Sequence, residues 1–182
     1  MRTLTALGAS IVEVSMPKEY RVLVSNWVIT CAVECALAHK EYYPKYKSNY
    51  GPDLTRLIEL GRRCGATQYS ALERLRERFR AALNRVFDSI DVLICPTIPT
   101  DAPTNAQMAT RSVEGDKAAD FLTFTAPFNY SGHPTITLPA DVEAATLPTS
   151  FQLVGRFLDE AMLVRCGYAY EQARGPIELP DL

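Results

Sequence analysis

The sequence lacks several features that would assign it to a specialised class of protein. Its 182 residues include 19 basic and 21 acidic side chains, so there is no positive excess to neutralise nucleic-acid phosphates. Its apolar runs fall far short of the roughly 20 residues of a transmembrane helix, and no secretory signal opens the chain. Hydrophobic residues make up 47% and charged residues 22%, which is typical of a globular protein. We therefore expect a cytoplasmic protein with no nucleic-acid partner and no membrane association.

Cysteine and histidine are too few and too scattered to predict a disulfide framework or a metal site. The five cysteines are Cys31, Cys35, Cys64, Cys95 and Cys166. Their number is odd, and only His39 and His133 could join them as ligands, whereas a zinc site needs about four ligands in paired clusters. The sequence also has no phosphate-binding glycine-rich loop and no Gly-x-Ser-x-Gly elbow. It therefore predicts no metal, no cofactor and no self-sufficient catalytic set.

The order of the apolar patterns predicts an α/β fold in which helices cover a mixed sheet. Continuous apolar runs predict strands at 11–14, 91–95, 135–138 and 150–154, the last two as a hairpin. Spacings of three and four residues predict helices over 18–41, 53–63, 67–89 and 158–173. Residues 99–118 are predicted to form a long polar loop, and residues 175–182 a loose tail. Residues 1–7 resemble the end of a helix that leads directly into a strand, as if the chain began partway through an α/β unit.

Three stretches of the sequence resemble the amidase signature family. They are 91–99 (DVLICPTIP), 125–134 (TAPFNYSGHP) and 147–156 (LPTSFQLVGR). Glu34, Tyr69 and Arg76 also match, and the matching positions run in family order from residue 4 to about residue 173. The resemblance covers nearly all of this chain but only the C-terminal part of a family member. It implies that residues 1–182 are a single segment, the C-terminal portion of the larger amidase-signature α/β/α domain.

The resemblance implies a role without a catalytic residue. The family hydrolyses carboxylic amides with a serine nucleophile that a second serine and a lysine activate. In the family these residues and a Gly/Ser-rich signature lie upstream of the matched part, and no such Gly/Ser-rich stretch occurs here. The chain alone is thus expected to be inactive. It would contribute scaffold and pocket wall for a small-molecule amide, together with the missing N-terminal half or as a homo-oligomer.

The resemblance also supplies candidate substrate-binding residues. They are Leu122, Phe124, Phe128, Asn129 and Arg76. Residues 121–129 and the loop after Pro96 would face the acyl side of the substrate. The apolar side chains in this stretch suit an aryl or alkyl amide, although a hydrophobic core uses the same residue types.

Two positions bear on a comparison with the amidase-like subunits of glutaminyl/glutamyl-tRNA amidotransferases. Those subunits carry a substrate-binding arginine where this chain has Arg76, which could instead be a structural ion-pair partner. They also carry an acidic residue seven positions before the asparagine of the Asn-x-x-Gly-x-Pro turn, where this chain has Leu122. Loss of that acid favours a general amidase over a component of an amidotransferase. The other alternative is a non-catalytic fragment or subunit that associates with another chain.

Overall fold

A computed structural model of the chain describes residues 1–109, 121–140, 147 and 149–176. The helices are α1 (Arg2–Ala6), α2 (Tyr20–Ser25), α3 (Trp27–Ala38), α4 (Tyr43–Tyr46), α5 (Pro52–Arg63), α6 (Ala66–Val86), α7 (Asn105–Ala109), α8 (Ala126–Ser131) and α9 (Glu160–Arg174), with a 3₁₀ turn at Lys47–Asn49. The strands are β1 (Leu93–Pro96), β2 (Thr135–Pro139) and β3 (Ser150–Val154). The predicted α/β class is confirmed. No helix in these ranges is both long enough and apolar enough to cross a membrane.

The three strands form one sheet in the order β1–β3–β2. Both pairings are antiparallel, and Val154 of the central strand lies opposite Leu93 on one side and Thr135 on the other. The predicted hairpin of the last two strands is therefore confirmed. Within the described ranges no parallel pairing occurs, so the parallel part of the expected mixed sheet is not seen there.

Helices cover both faces of this sheet. Successive side chains of a strand point to opposite faces, so each face has side chains that pack against helices. On one face, Leu93 and Val154 pack into a cluster with residues of α2, α6 and α8. On the other face, Leu153 packs against α9. The first cluster consists of Leu23, Phe79, Leu83, Phe87, Leu93, Phe128, Tyr130 and Val154, and the second of Leu138, Leu153, Leu163 and Tyr170. The result is a helix–sheet–helix arrangement.

Helices α3 and α5 are in close contact because α5 has a glycine where they meet. A Cβ atom at Gly61 would overlap the backbone carbonyl of Ala32, so only glycine allows this approach. The ends of α5 suit its dipole, with Asp53 in the first turn and Arg62 and Arg63 in the last. The sequence prediction of a helix here is confirmed.

Residues 11–14 do not form a strand, contrary to the prediction. Ile11 and Val12 are 47% and 57% exposed, and the segment is not paired with any strand of the described sheet. A strand needs a neighbouring backbone to satisfy its hydrogen bonds, and an apolar run alone does not provide one. Val14 and Met16, which follow, pack against the first cluster instead.

The single helix predicted over 18–41 is two helices separated at Asn26. The backbone of Asn26 lies at φ −105° and ψ 7°, outside the helical region. Its side-chain Nδ2 donates to the carbonyl of Val22 at 2.8 Å, and asparagine amides compete in this way with regular helix bonding. The apolar stripe continues across the break, so the periodicity does not reveal it.

The predicted polar loop at 99–118 contains the short helix α7, which begins with a capping box. The backbone N–H of Gln107 donates to Thr104 Oγ1 at 3.2 Å, and the N–H of Thr104 donates to Gln107 Oε1 at 2.8 Å. The Thr-x-x-Gln spacing is visible in the sequence and would have predicted this start. Residues 110–118 of that loop and 177–182 of the predicted tail lie outside the described residues.

Candidate functional site

Residues 121–129, called the wall segment below, lead into α8 on the helix-rich face of the sheet. Leu122 and Phe124 are half-buried, and Asn129 is exposed. These three side chains are therefore partly or fully accessible on the surface of this chain. They remain candidates for contact with a substrate.

Phe128 differs from the other wall candidates, because its ring belongs to the core. It is 4% exposed and shares a cluster with Leu83, Phe87 and Val154. Adjacent residues of a helix point about 100° apart, so α8 can direct Phe128 inward while Asn129 faces outward. Phe128 thus packs in the core of the described chain, and its contact with a substrate stays a prediction.

The backbone of the wall segment is fixed by donors from two other elements. The hydroxyl of Tyr20, on α2, donates to the carbonyl of Thr123 at 2.7 Å. The side-chain Nε2 of Gln152, on β3, donates to the carbonyl of Phe124 at 2.6 Å. Two consecutive carbonyl groups are thus held, one from the helical layer and one from the sheet.

Two arginines of α6 hold the C-terminal end of α8. Arg76 Nε donates to the carbonyl of Tyr130 at 2.8 Å, and Arg80 Nε donates to the carbonyl of Ser131 at 2.7 Å. The last carbonyls of a helix lack intrahelical donors and carry partial negative charge, so cations are favourable there. Gly132 ends the helix in the left-handed region at φ 74°, a conformation that glycine adopts without strain. Arg80 is a positioning contact that the sequence did not single out.

Three residues that carry the family resemblance come together beside this contact. Arg76 Nη1 lies 3.8 Å from Glu34 Oε1 and 3.7 Å from Glu73 Oε1, and the hydroxyl of Tyr69 donates to Glu34 Oε1 at 3.4 Å. The Arg76 side chain is 28% exposed. Its charge thus lies close to two carboxylates and a backbone carbonyl, and its contact with a substrate stays a prediction.

Three serines in the described part of the chain have hydroxyls that bond to their own backbone. Ser25, Ser89 and Ser131 each donate to a backbone carbonyl three or four positions earlier. Burial raises the pKa of the Cys95 thiol to about 11, so this group is protonated at neutral pH. Over the described ranges no group of cysteine, histidine and acidic residues could hold a metal ion.

His133 is a buried residue that packs against aromatic rings. It is 4% exposed, its ring stacks on Phe87 with centroids 5.2 Å apart, and neither ring nitrogen has a hydrogen-bond partner among the described residues. Burial, together with the nearby charge of Arg80, lowers the pKa of His133 to about 4. The imidazole is neutral at physiological pH.

Comparison with known proteins agrees with this geometry. The family model named Amidase matches residues 1–164. A protein assigned as the amidase AmiD in Mycobacterium tuberculosis is 39% identical over 144 residues, which cover 79% of this chain and 30% of that protein. The A subunit of the glutamyl-tRNA(Gln) amidotransferase of Thermosynechococcus vestitus is 32% identical over 94% of this chain and 40% of its own length.

The fold comparison gives the same result. A crystal structure of an amidase superposes with a TM-score of 0.79 at 27% identity, covering 95% of this chain and 39% of the solved one. The chain thus spans between 30% and 40% of the length of these curated relatives. It belongs to the amidase family and represents only part of the amidase fold.

Proposed function

We propose that this chain is the C-terminal part of an amidase that hydrolyses carboxylic amides, and that it supplies scaffold and one wall of the substrate pocket. The observation that carries the proposal is the match to the mycobacterial relative, which takes in 79% of this chain but only 30% of that protein. The serine nucleophile would come from sequence upstream of the matched region. The bonding of Ser25, Ser89 and Ser131 to their own backbone supports this division of roles.

The proposed substrates are amides with an uncharged, apolar acyl group. Leu122 and Phe124 offer half-buried apolar surface to such a group. Leu122 replaces the acid that would bind the amino group of glutamine. The guanidinium of Arg76 already bonds the carbonyl of Tyr130 and lies near two carboxylates, so it is a weak partner for a substrate carboxylate.

The amidase-like component of a tRNA amidotransferase is the second candidate. The 32% identity to the cyanobacterial protein over 94% of this chain favours it. The two candidates require different side chains at position 122. Glutamine has a charged amino group that must be bound, and an aryl or alkyl amide does not. Binding the charged amino group of glutamine in a buried site that offers no partner for it is strongly disfavoured.

The test is a comparison of substrates on the complete enzyme, expressed with its upstream sequence. We expect kcat/KM for an apolar aryl or alkyl amide to exceed that for glutamine by at least about tenfold, since one pocket group is worth about 10–200-fold. Preference for glutamine would contradict the proposed substrate class. Absence of all amide hydrolysis would contradict the amidase and favour a non-catalytic role in a complex.

A matched pair of variants makes the comparison sharper. Leu122→Asp should raise glutamine turnover relative to the apolar amide, because it restores a negative charge at the position in question. Leu122→Asn has nearly the same size without that charge and should not. An equal response of the two variants would show that residue 122 does not face the substrate.

A further inference from the structure

Gln152 joins the two segments that form the proposed pocket wall. Its Nε2 lies 2.6 Å from the carbonyl oxygen of Phe124 and 3.3 Å from that of Pro96. Both partners are acceptors, so the amide nitrogen and its two hydrogens must face them. One side chain therefore holds the wall segment and the beginning of the loop after Pro96 at a fixed separation.

The location of Gln152 makes this contact unusual for its residue type. It lies in the middle of the central strand, opposite Cys95 and Thr137, and is 2% exposed. Val154, on the same face of the strand, and Leu153, on the opposite face, are both buried apolar residues. A buried amide lowers stability unless it is hydrogen-bonded, so an apolar residue would serve packing alone. The two hydrogen bonds to carbonyl oxygens explain why an amide is tolerated at this buried position.

Tyr20 holds the same backbone from the opposite layer. Its hydroxyl donates at 2.7 Å to the carbonyl of Thr123, which directly precedes Phe124 in the chain. With the carbonyls of Thr123 and Phe124 held, the two peptide planes that flank Phe124 and set the direction of its side chain cannot rotate freely. The accessible apolar side chains are thus carried on a backbone that is fixed from both sides.

We propose that Gln152 and Tyr20 are positioning residues for acyl-group selection: they fix the wall segment relative to the loop after Pro96 and so set the width of the acyl pocket. The proposal rests on the amidase function proposed above. Neither residue touches a reacting atom in this role. Their effect is on which acyl group fits, and not on the reactivity of the nucleophile.

The first experiment measures kcat/KM of the complete enzyme for a bulky aryl amide and for a small alkyl amide. Tyr20→Phe removes only the hydroxyl, and Gln152→Met removes both donors at similar side-chain length. Each should change the ratio of the two kcat/KM values by about tenfold, the lower end of the range for one pocket contact. Labelling of the serine by a small acylating probe should stay unchanged.

Tyr43→Phe is the matched control. The hydroxyl of Tyr43 also donates at a short distance, 2.8 Å, but to Glu59 on α5. Its removal should leave the ratio of the two kcat/KM values unchanged. If Gln152→Met does not fold, Tyr20→Phe decides the matter, and an unchanged ratio in folded Tyr20→Phe overturns the proposal.

Hydrogen exchange separates this proposal from the amidase function. In Tyr20→Phe, backbone amides of 121–129 should exchange faster than in the parent chain, whereas those of α9 should not change. Tyr43→Phe should leave the exchange of both regions unchanged. If the enzyme hydrolyses no amide, the amidase proposal fails. Faster exchange in Tyr20→Phe would still support the role of Tyr20 in fixing the wall segment. Unchanged exchange at 121–129 in Tyr20→Phe overturns the proposal that Tyr20 fixes the wall segment.

Discussion

Acid should destabilise the protein through His133. The ring is 4% exposed, stacks on Phe87 and meets Phe157 edge to face with centroids 6.1 Å apart. Burial, with a contribution from the charge of Arg80, lowers its pKa from 6.5 to about 4. Protonation of this imidazole in the folded chain is therefore strongly disfavoured.

The sign and size of the effect follow from proton linkage. Above pH 6.5 the ring is neutral in both the folded and the unfolded chain and does not affect stability. Between pH 6.5 and about 4 the unfolded chain binds a proton that the folded chain does not, so the free energy of unfolding falls as the pH falls. A difference of about 2.5 pKa units corresponds to about 3 kcal/mol, and the loss levels off below about pH 4.

The assay compares the parent chain with His133→Leu, which removes the titrating group and both ring nitrogens. Urea unfolding can be followed through Trp27, the one tryptophan, which packs edge to face on Tyr130. Between about pH 7 and pH 4, the parent should lose about 3 kcal/mol more than the variant. His39 and all carboxylates are common to both proteins and cancel. Parallel pH profiles would refute the reasoning, because they would show that His133 titrates alike in the folded and unfolded chains.

Three further predictions concern packing and association. Phe128→Ala should lower the free energy of unfolding by about 3–5 kcal/mol, whereas Asn129→Ala, on the exposed side of α8, should change it by less than about 0.5 kcal/mol in urea titrations; equal effects would place the Phe128 ring outside the core. Gly61→Ala should destabilise the chain by about 1–3 kcal/mol through the clash with Ala32. Gly51→Ala, where an added Cβ meets nothing within 4 Å, should not destabilise it. Thermal melts of the two variants that coincide would contradict the close contact at Gly61. In the described sheet β1 and β2 each have an unpaired edge, so light scattering of the isolated chain should give a mass above 20.2 kDa, and a folded monomer of that mass would contradict the prediction.

Periodicity predicted the elements whose packing and caps agree with their local pattern. Helix α9 is an example, since its sequence pattern is supported by Asp159, whose carboxylate accepts a hydrogen bond from the N–H of Met162 at 3.3 Å. The failures have tertiary or side-chain causes. Residues 11–14 have a strand pattern but no pairing partner in the described sheet, and Asn26 interrupts a stripe that remains apolar on both sides.

The sequence offered candidate residues through their types. It could not predict the contacts that hold them in place. Glu34, Tyr69 and Arg76 matched the family by identity and position, and the structure brings them together. Arg80 and Gln152 act on backbone carbonyls, which exist at every position and leave no mark in the sequence of the segment they hold. Only the three-dimensional backbone shows which carbonyl each donor reaches.

Labelling with a serine-reactive fluorophosphonate, followed by peptide mapping, tests the central claim most directly. It should be applied to the 182-residue chain and to the same chain with its upstream sequence. We predict that the longer protein is labelled at a serine upstream of Met1 and hydrolyses amides, while the 182-residue chain takes up no label. A labelled serine within residues 1–182 that accompanies amide turnover would contradict the assignment of this chain to scaffold and pocket wall.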